Sequence, residues 1–205
     1  MDDARLSLGS DMPTIARGRK DLEYADLLQF PEGDGNRYEI LDGRLYVTPS
    51  PNVTHQRVLG RLFKILDDYF EPRGLGEVFF APLDVILTNR DVVEPDIFVV
   101  DNADHLTERA VEGPPLLAIE ILSPSTAKRD RGIKATRYAL LGVPHYWLVD
   151  PKARTLTCYK ARDGEYEPVA TVAADGTLAH RDFPGLIIKM SEIWAASPVK
   201  WRRRR

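Results

Sequence analysis

The run Leu116-Leu-Ala-Ile-Glu-Ile-Leu122 constrains the fold of this chain more than any other stretch. Seven residues carry one charge, and near-continuous apolar strands of this kind occur where both faces of a sheet are covered. Ser123-Pro-Ser-Thr126 then supplies a turn and helix caps, and a helix is expected over residues 126–141, stopped by Gly142 and Pro144. Residues 145–149 form a further apolar strand, and a meander through 155–159 and 166–172 follows, turned by Asp150-Pro-Lys-Ala153 and Asp163-Gly164.

The first half reads in the same way. Leu22, Ala25 and Leu28 recur at spacing three, which predicts a short helix over 21–29 with Asp21 as its cap. Residues 38–41 and 44–47 flank Asp42-Gly43, a two-residue hairpin turn. From 54 to 70, Val58, Leu59, Leu62, Phe63, Leu66, Tyr69 and Phe70 form an apolar stripe at helical spacing, ended by Pro72 and Gly74. Strands are expected over 78–88, with a break near Pro82, and over 92–100. Residues 102–115 read as irregular connection, and a last helix is expected near 191–196. This order implies an α/β or mixed α+β domain, a mixed sheet flanked by helices with an added C-terminal meander.

A length of 205 residues suits one domain, here 21–197, with a flexible extension over 1–20 and a basic tail over 198–205. With 43% hydrophobic and 29% charged residues the chain is no disordered polymer. No window approaches the roughly 18–20 apolar residues that cross a bilayer, and Met-Asp-Asp-Ala-Arg lacks a signal peptide's apolar block, so a cytoplasmic location is expected. Cys158, the single cysteine, excludes an internal disulfide and a cysteine zinc cluster. The net charge is −3 even with four arginines at 202–205, so the rest of the chain is more acidic still. That balance is not the usual footprint of a nucleic-acid binder.

The informative residues are acids inside apolar strands: Glu120, Asp96 in Val93-Glu-Pro-Asp-Ile-Phe, Glu39 in Tyr-Glu-Ile-Leu, and more weakly Asp84. A buried carboxylate without partners is costly, so such groups are protonated, paired or metal-bound. Pro95 removes a ladder donor, which suggests a sheet edge or bulge at Asp96. Each acid alone reads as solvent-facing or paired with arginine; several converging could hold a hard cation. On the next helix, Asp130, Lys134 and Tyr138 are spaced four apart and share a face, which could lay Lys134 beside the acids.

With these residues in hand, the chain resembles the Uma2 family of bacterial endonucleases, within the PD-(D/E)XK restriction-endonuclease-like superfamily. The resemblance runs from about residue 22 to 194. It rests on Tyr38-Glu-Ile-Leu-Asp-Gly43, Pro49-Ser-Pro-Asn-Val-Thr-His55, Glu94-Pro-Asp-Ile97, Ile119-Glu-Ile-Leu-Ser-Pro-Ser-Thr126, Asp130 through Lys134 to Tyr138, and Gly142-Val-Pro-His-Tyr-Trp-Leu-Val-Asp-Pro151. It implies a four-stranded mixed core sheet and metal-dependent hydrolysis of phosphodiester bonds in DNA. Pro95-Asp96 matches the superfamily's Pro-Asp element, Glu120 its second acid and Glu39 the acid contributed earlier in the chain. The lysine expected two residues after the second acid is replaced by Leu122. Lys134 is the substitute, with Lys128 the other candidate, at a helix start and facing water.

On this resemblance Asp96, Glu120 and the Ile121 carbonyl would bind Mg²⁺ or Mn²⁺. Glu39 would position water or a second ion, and Lys134 would stabilise the transition state. His55 matches the family motif and could orient substrate, but reads more simply as a helix-start residue satisfied by water or backbone. Two other readings stand beside it: a catalytically degenerate nucleic-acid- or protein-binding module on the same fold, and a small-molecule phosphoesterase. Tyr146, Trp147 and Tyr159 read as core or dimer-contact residues, and an exposed meander edge would favour a homodimer.

Overall fold

The computed structural model describes residues 21–31 and 33–195. The extension over 1–20, the tail over 198–205 and the end of the last expected helix lie outside the described residues. The elements are α1 (Tyr24–Leu27), β1 (Asn36–Leu41), β2 (Arg44–Pro49), α2 (Val53–Phe70), β3 (Glu77–Phe80), β4 (Val85–Thr88), β5 (Asp91–Val93) and β6 (Ile97–Val100). Then come β7 (Val111–Glu112), β8 (Leu117–Ile121), α3 (Ala127–Arg129), α4 (Ala135–Leu140) and β9 (His145–Asp150). The chain closes with β10 (Thr155–Arg162), β11 (Glu165–Ala173), β12 (Thr177–Ala179), β13 (Ile187–Lys189) and α5 (Met190–Trp194).

Among the described residues the strands form a six-stranded sheet, β11-β10-β9-β8-β6-β3, a five-stranded sheet, β2-β1-β5-β4-β7, and the pair β12-β13. In the six-stranded sheet β8 and β9 run parallel, joined through the α3–α4 helix, and the other pairings are antiparallel. The mixed sheet with flanking helices and a C-terminal meander is thus present, with two further strands beyond the implied four-stranded core.

β8 is buried along its whole length. Its alternation divides the interior: Leu117, Ile119 and Ile121 pack with Leu62, Leu66 and Phe70 of α2, whereas Ala118 and Leu122 pack with Leu41, Val85 and Val93 of the second sheet and Tyr138 of α4. A third cluster places Leu27 and Phe30 against Tyr38, Ile40 and Val92. The molecule is therefore layered as α2, sheet, sheet, α1. Asn52 caps α2 by accepting the His55 amide at 3.0 Å, and Gly74 ends the following turn with a φ of 62°.

Four expectations differ from the structure. The 21–29 helix contracts to α1, whose capping box is formed by Glu23 and Asp26, while Asp21 instead pairs with Arg90. The run 92–100 splits, because its halves belong to different sheets; the run 78–88 breaks near Pro82 as expected, and for the same reason. Pro95 accordingly marks neither an edge nor a bulge but a crossing between sheets, and β6 lies between β3 and β8. The helix after β8 is not a single α-helix, since residues Asp130–Lys134 form a π-turn around Gly132. Among the described residues no helix is long and apolar enough to cross a membrane. Cys158 is a buried β10 residue whose thiol is pushed up by burial.

His145, Trp147, His180 and Phe183 form a buried aromatic cluster, with the two histidine ring centroids 5.7 Å apart. Burial, and next the neighbouring His180, push the His145 imidazole down to about 4. The unfolded chain therefore binds the extra proton between an ordinary histidine value of roughly 6.5 and that lowered value, and the contribution of His145 to stability rises with pH across this window. The melting temperature of the native protein, less that of His145→Phe, should therefore rise between about pH 4 and pH 6.5 in thermal melts followed by circular dichroism; a difference that does not change with pH would exclude His145 as its source.

Candidate active site

The acids and the lysine singled out in the sequence meet at one end of β8. Ile97 is the last β6 residue in register with β8, opposite Ile119. One step further the backbone leaves the ladder, and the Asp96 side chain takes the Ile121 amide, its Oδ2 lying 2.8 Å from the nitrogen. Proline suits the crossing because no ladder donor is needed at position 95. Asp96 Oδ2 also lies 3.0 Å from His55 Nε2, and its Oδ1 lies 2.9 Å from Arg37 Nη1.

Glu120 points to the opposite face from Ile119 and Ile121, as the strand period requires. Its Oε1 accepts from Tyr138 at 3.1 Å and lies 2.7 Å from Lys134 Nζ. The same ammonium lies 2.6 Å from Glu39 Oε1, and Arg129 Nη2 lies 3.0 Å from Glu39 Oε2. The Glu94 amide donates to Glu39 Oε1 at 3.0 Å. Lys134 thus bridges β1 of one sheet to β8 of the other. The wide π-turn shifts the side-chain register of the helix by one residue, so this stretch does not present the exposed Asp–Lys ladder of a straight helix. Asp130 and Lys134 are both buried.

Burial and charge divide these acids. Burial opposes the charge on Asp96, but the His55 bond, Arg37 and the Ile121 amide outweigh it and hold the carboxyl at about 2. Burial also opposes Glu39, and Lys134, then Arg129, bring it below the ordinary carboxylate range. Glu120 goes the other way. Burial pushes it up to about 8, Lys134 pulls against the rise, and Asp96, Asp130 and Glu39 add to it. Glu39 has two cations while Glu120 shares one, and that difference separates them. Burial works against the Lys134 charge, but Glu120, Glu39 and Asp130 more than offset it and raise its pKa above that of an ordinary lysine.

Asp96, Glu120, Glu39 and Lys134 all line one cavity of about 210 Å³, together with Arg37, His55 and Arg129. Lys128 is exposed, as expected, and Leu122 is buried in the core. Asp84 does not line this cavity; burial raises its carboxyl, and Tyr24 and Arg109 lie near it. His55 is not the water-satisfied helix-start residue of the simpler reading: it is buried against Asp96. Arg37 and Arg129 were not singled out in the sequence. Arg37 stands two residues before Glu39 on the same strand face, so the period-two pattern held a signal for it; Arg129 had none.

Among the described residues no three His, Cys, Asp or Glu side chains are grouped as a ready metal cage. Both Asp96 oxygens and one of Glu120 face nitrogen or hydroxyl donors. The donor set still fits a hard cation, because Mg²⁺ is commonly held by one or two carboxylates with waters and substrate phosphate supplying the rest.

Comparison with known proteins agrees with this architecture. The crystal structure of a "putative nuclease belonging to DUF820" from Anabaena variabilis superposes with a TM-score of 0.68 at 19% identity, over 84% of this chain and 97% of that one. An uncharacterised protein of Synechocystis sp., slr1290, is 28% identical over 120 residues, a match spanning 58% of this chain and 62% of that protein. The family described as "Putative restriction endonuclease" matches residues 24–191, nearly every element described above, and the chain belongs to this family, Uma2.

Proposed function

We propose that this protein is a metal-dependent endonuclease that hydrolyses phosphodiester bonds of DNA. The observation that carries the reading is the convergence of Asp96, Glu120 and Lys134 on one cavity from three separate stretches of chain. Asp96 and Glu120, with the Ile121 carbonyl, are the groups that would hold Mg²⁺ or Mn²⁺. When bound, such an ion polarises the phosphate and lowers the pKa of a coordinated water.

The chain's own residues supply the rest. Lys134 presents a buried positive charge towards a phosphate in a partly dry site, where preorganised charge is most effective. Glu39 fixes that ammonium and offers an acceptor to an attacking water. His55 and the Ile121 amide hold Asp96 in one orientation. Arg37 must withdraw from Asp96 Oδ1 before that oxygen can bind a cation. It is the more readily released partner, its side chain being 19% exposed against 6% for His55. A freed Arg37 is then available to a substrate phosphate.

The engaged state of Asp96 is also the one observation that favours a degenerate binding module. Calorimetric Mn²⁺ titration separates the two. Stoichiometric binding lost in Asp96→Asn supports the nuclease, and no binding to either protein supports the module.

Two further outcomes are expected. Purified protein should nick or cut plasmid DNA with Mg²⁺ or Mn²⁺ and stop with EDTA, and Glu120→Gln should reduce cutting to background with an unchanged circular dichroism spectrum. Full activity in that variant would remove Glu120 from the reaction. Lys134→Met leaves Glu39 and Glu120 buried without their shared cation and should cost about 3–5 kcal/mol of stability in denaturant titrations. A loss near that of an exposed ion pair, under about 1 kcal/mol, would contradict the buried bridge. Lys128→Ala, on the exposed face, should change neither quantity.

A further inference from the structure

Asp96, Arg37 and His55 line a second cavity as well, on the other side from Glu120 and Lys134. Its volume is about 590 Å³, nearly three times that of the carboxylate cavity. This lies within the range of roughly 300–1,000 Å³ usual for clefts that enclose a small organic group. The lining combines flat apolar surface with a few polar groups. Leu28, Phe30, Tyr38 and Leu83 contribute the former, and the Phe30 and Tyr38 ring centroids lie 4.9 Å apart. Glu94 is among the latter. Among the described residues its Oε2 is buried with no hydrogen-bond partner. Buried polar atoms are usually bonded, so this oxygen, on a residue that lines the cavity, is an acceptor that a small side-chain movement would offer to a ligand.

We infer that this cavity receives one unpaired nucleobase of the substrate strand, adjacent to the phosphate held in the carboxylate cavity. The inference rests on the nuclease reading and narrows its substrate to single-stranded or locally unpaired DNA. The connectivity of a nucleotide supports it. A base stands one sugar away from its phosphate, and the two cavities share the Asp96–Arg37–His55 wall. A base still paired in a duplex brings its partner and stacked neighbours, which a cavity of this size cannot admit. A base out of the stack needs apolar contact for its faces and a polar group for its edge. Leu83 with the Phe30 and Tyr38 rings supply the faces, and Glu94 Oε2 accepts from an exocyclic amine, as carboxylates accept from cytosine. Unpairing costs least where the base is already unpaired, and this sets the preference for single strands.

The test uses the full chain with Ca²⁺ replacing Mg²⁺, so that binding is read without cutting. Fluorescence anisotropy compares a labelled single-stranded oligonucleotide, the same sequence as a duplex, and a single strand of abasic sugar–phosphate units. The base-bearing single strand should bind about ten-fold more tightly than either of the others. Leu83→Trp, which fills the cavity, should remove that ten-fold advantage and leave abasic binding unchanged. Leu28→Trp, at a position already 46% exposed and so free of core strain, should act in the same direction. Equal affinity for all three probes, with Mn²⁺-dependent plasmid cutting intact, would overturn the base site and leave the nuclease reading standing. No binding of any probe together with no cutting would overturn both.

Discussion

The buried ammonium of Lys134 is the interaction on which the rest of the arrangement depends. A charge with almost no solvent contact is tolerable only when oppositely charged groups surround it, and here they come from both sheets. Glu39 belongs to β1 and Glu120 to β8, so the ion pair fixes how the two sheets meet at this end. Elsewhere between them the contact is apolar, through Leu41, Val85, Val93, Ala118 and Tyr138. Apolar packing tolerates small shifts, whereas a charge held 2.6 and 2.7 Å from two carboxylates does not. The polar end therefore sets the register of the layers, and the apolar part supplies most of the burial.

The sequence made legible whatever follows from local periodicity. The α2 stripe, the all-apolar β8 and the Asp42-Gly43 hairpin each carry their structure within a few residues. Strand alternation also placed Glu120 on the face of Ala118 and Leu122, where it lies. Crossings between sheets were not legible. Residues 92–100 read as one strand with an irregularity at Pro95, yet β5 and β6 part company at Glu94-Pro95-Asp96 and join different sheets, and only tertiary pairing decides that. The π-turn was equally hidden: spacing by four predicted a shared face for Asp130, Lys134 and Tyr138, but not the shift at Gly132. Arg129 reaches Glu39 across the fold from a helix start that looks solvated, and no pattern in its own stretch announces that contact. β12 and β13, three residues each, fall below the length at which alternation can be recognised.

Asp96 joins the local and the global levels. Its position is set by a break in a ladder, its orientation by the Ile121 amide and His55, and its charge by those groups together with Arg37. It lines both cavities, together with Arg37 and His55. The paired chemistry proposed above, a phosphate on one side and a base on the other, uses that shared wall rather than two independent sites.

On the nuclease reading an acidic chain must accept a polyanionic substrate, and the pairing of charges in the site bears on how it does so. Arg37, Arg129 and Lys134 are each tied to an acid, so these cations are not free for phosphate, and both Asp96 oxygens are already engaged. On that reading, a divalent ion held by Asp96 and Glu120 would favour the ionised form of Glu120, whose carboxyl burial keeps up at about 8, and would compete with Arg37 for Asp96. Arg37, so released, would be available to a phosphate. On the nuclease reading, metal and nucleic acid bind with positive coupling, and the net negative charge of the chain opposes substrate only until the ion has entered.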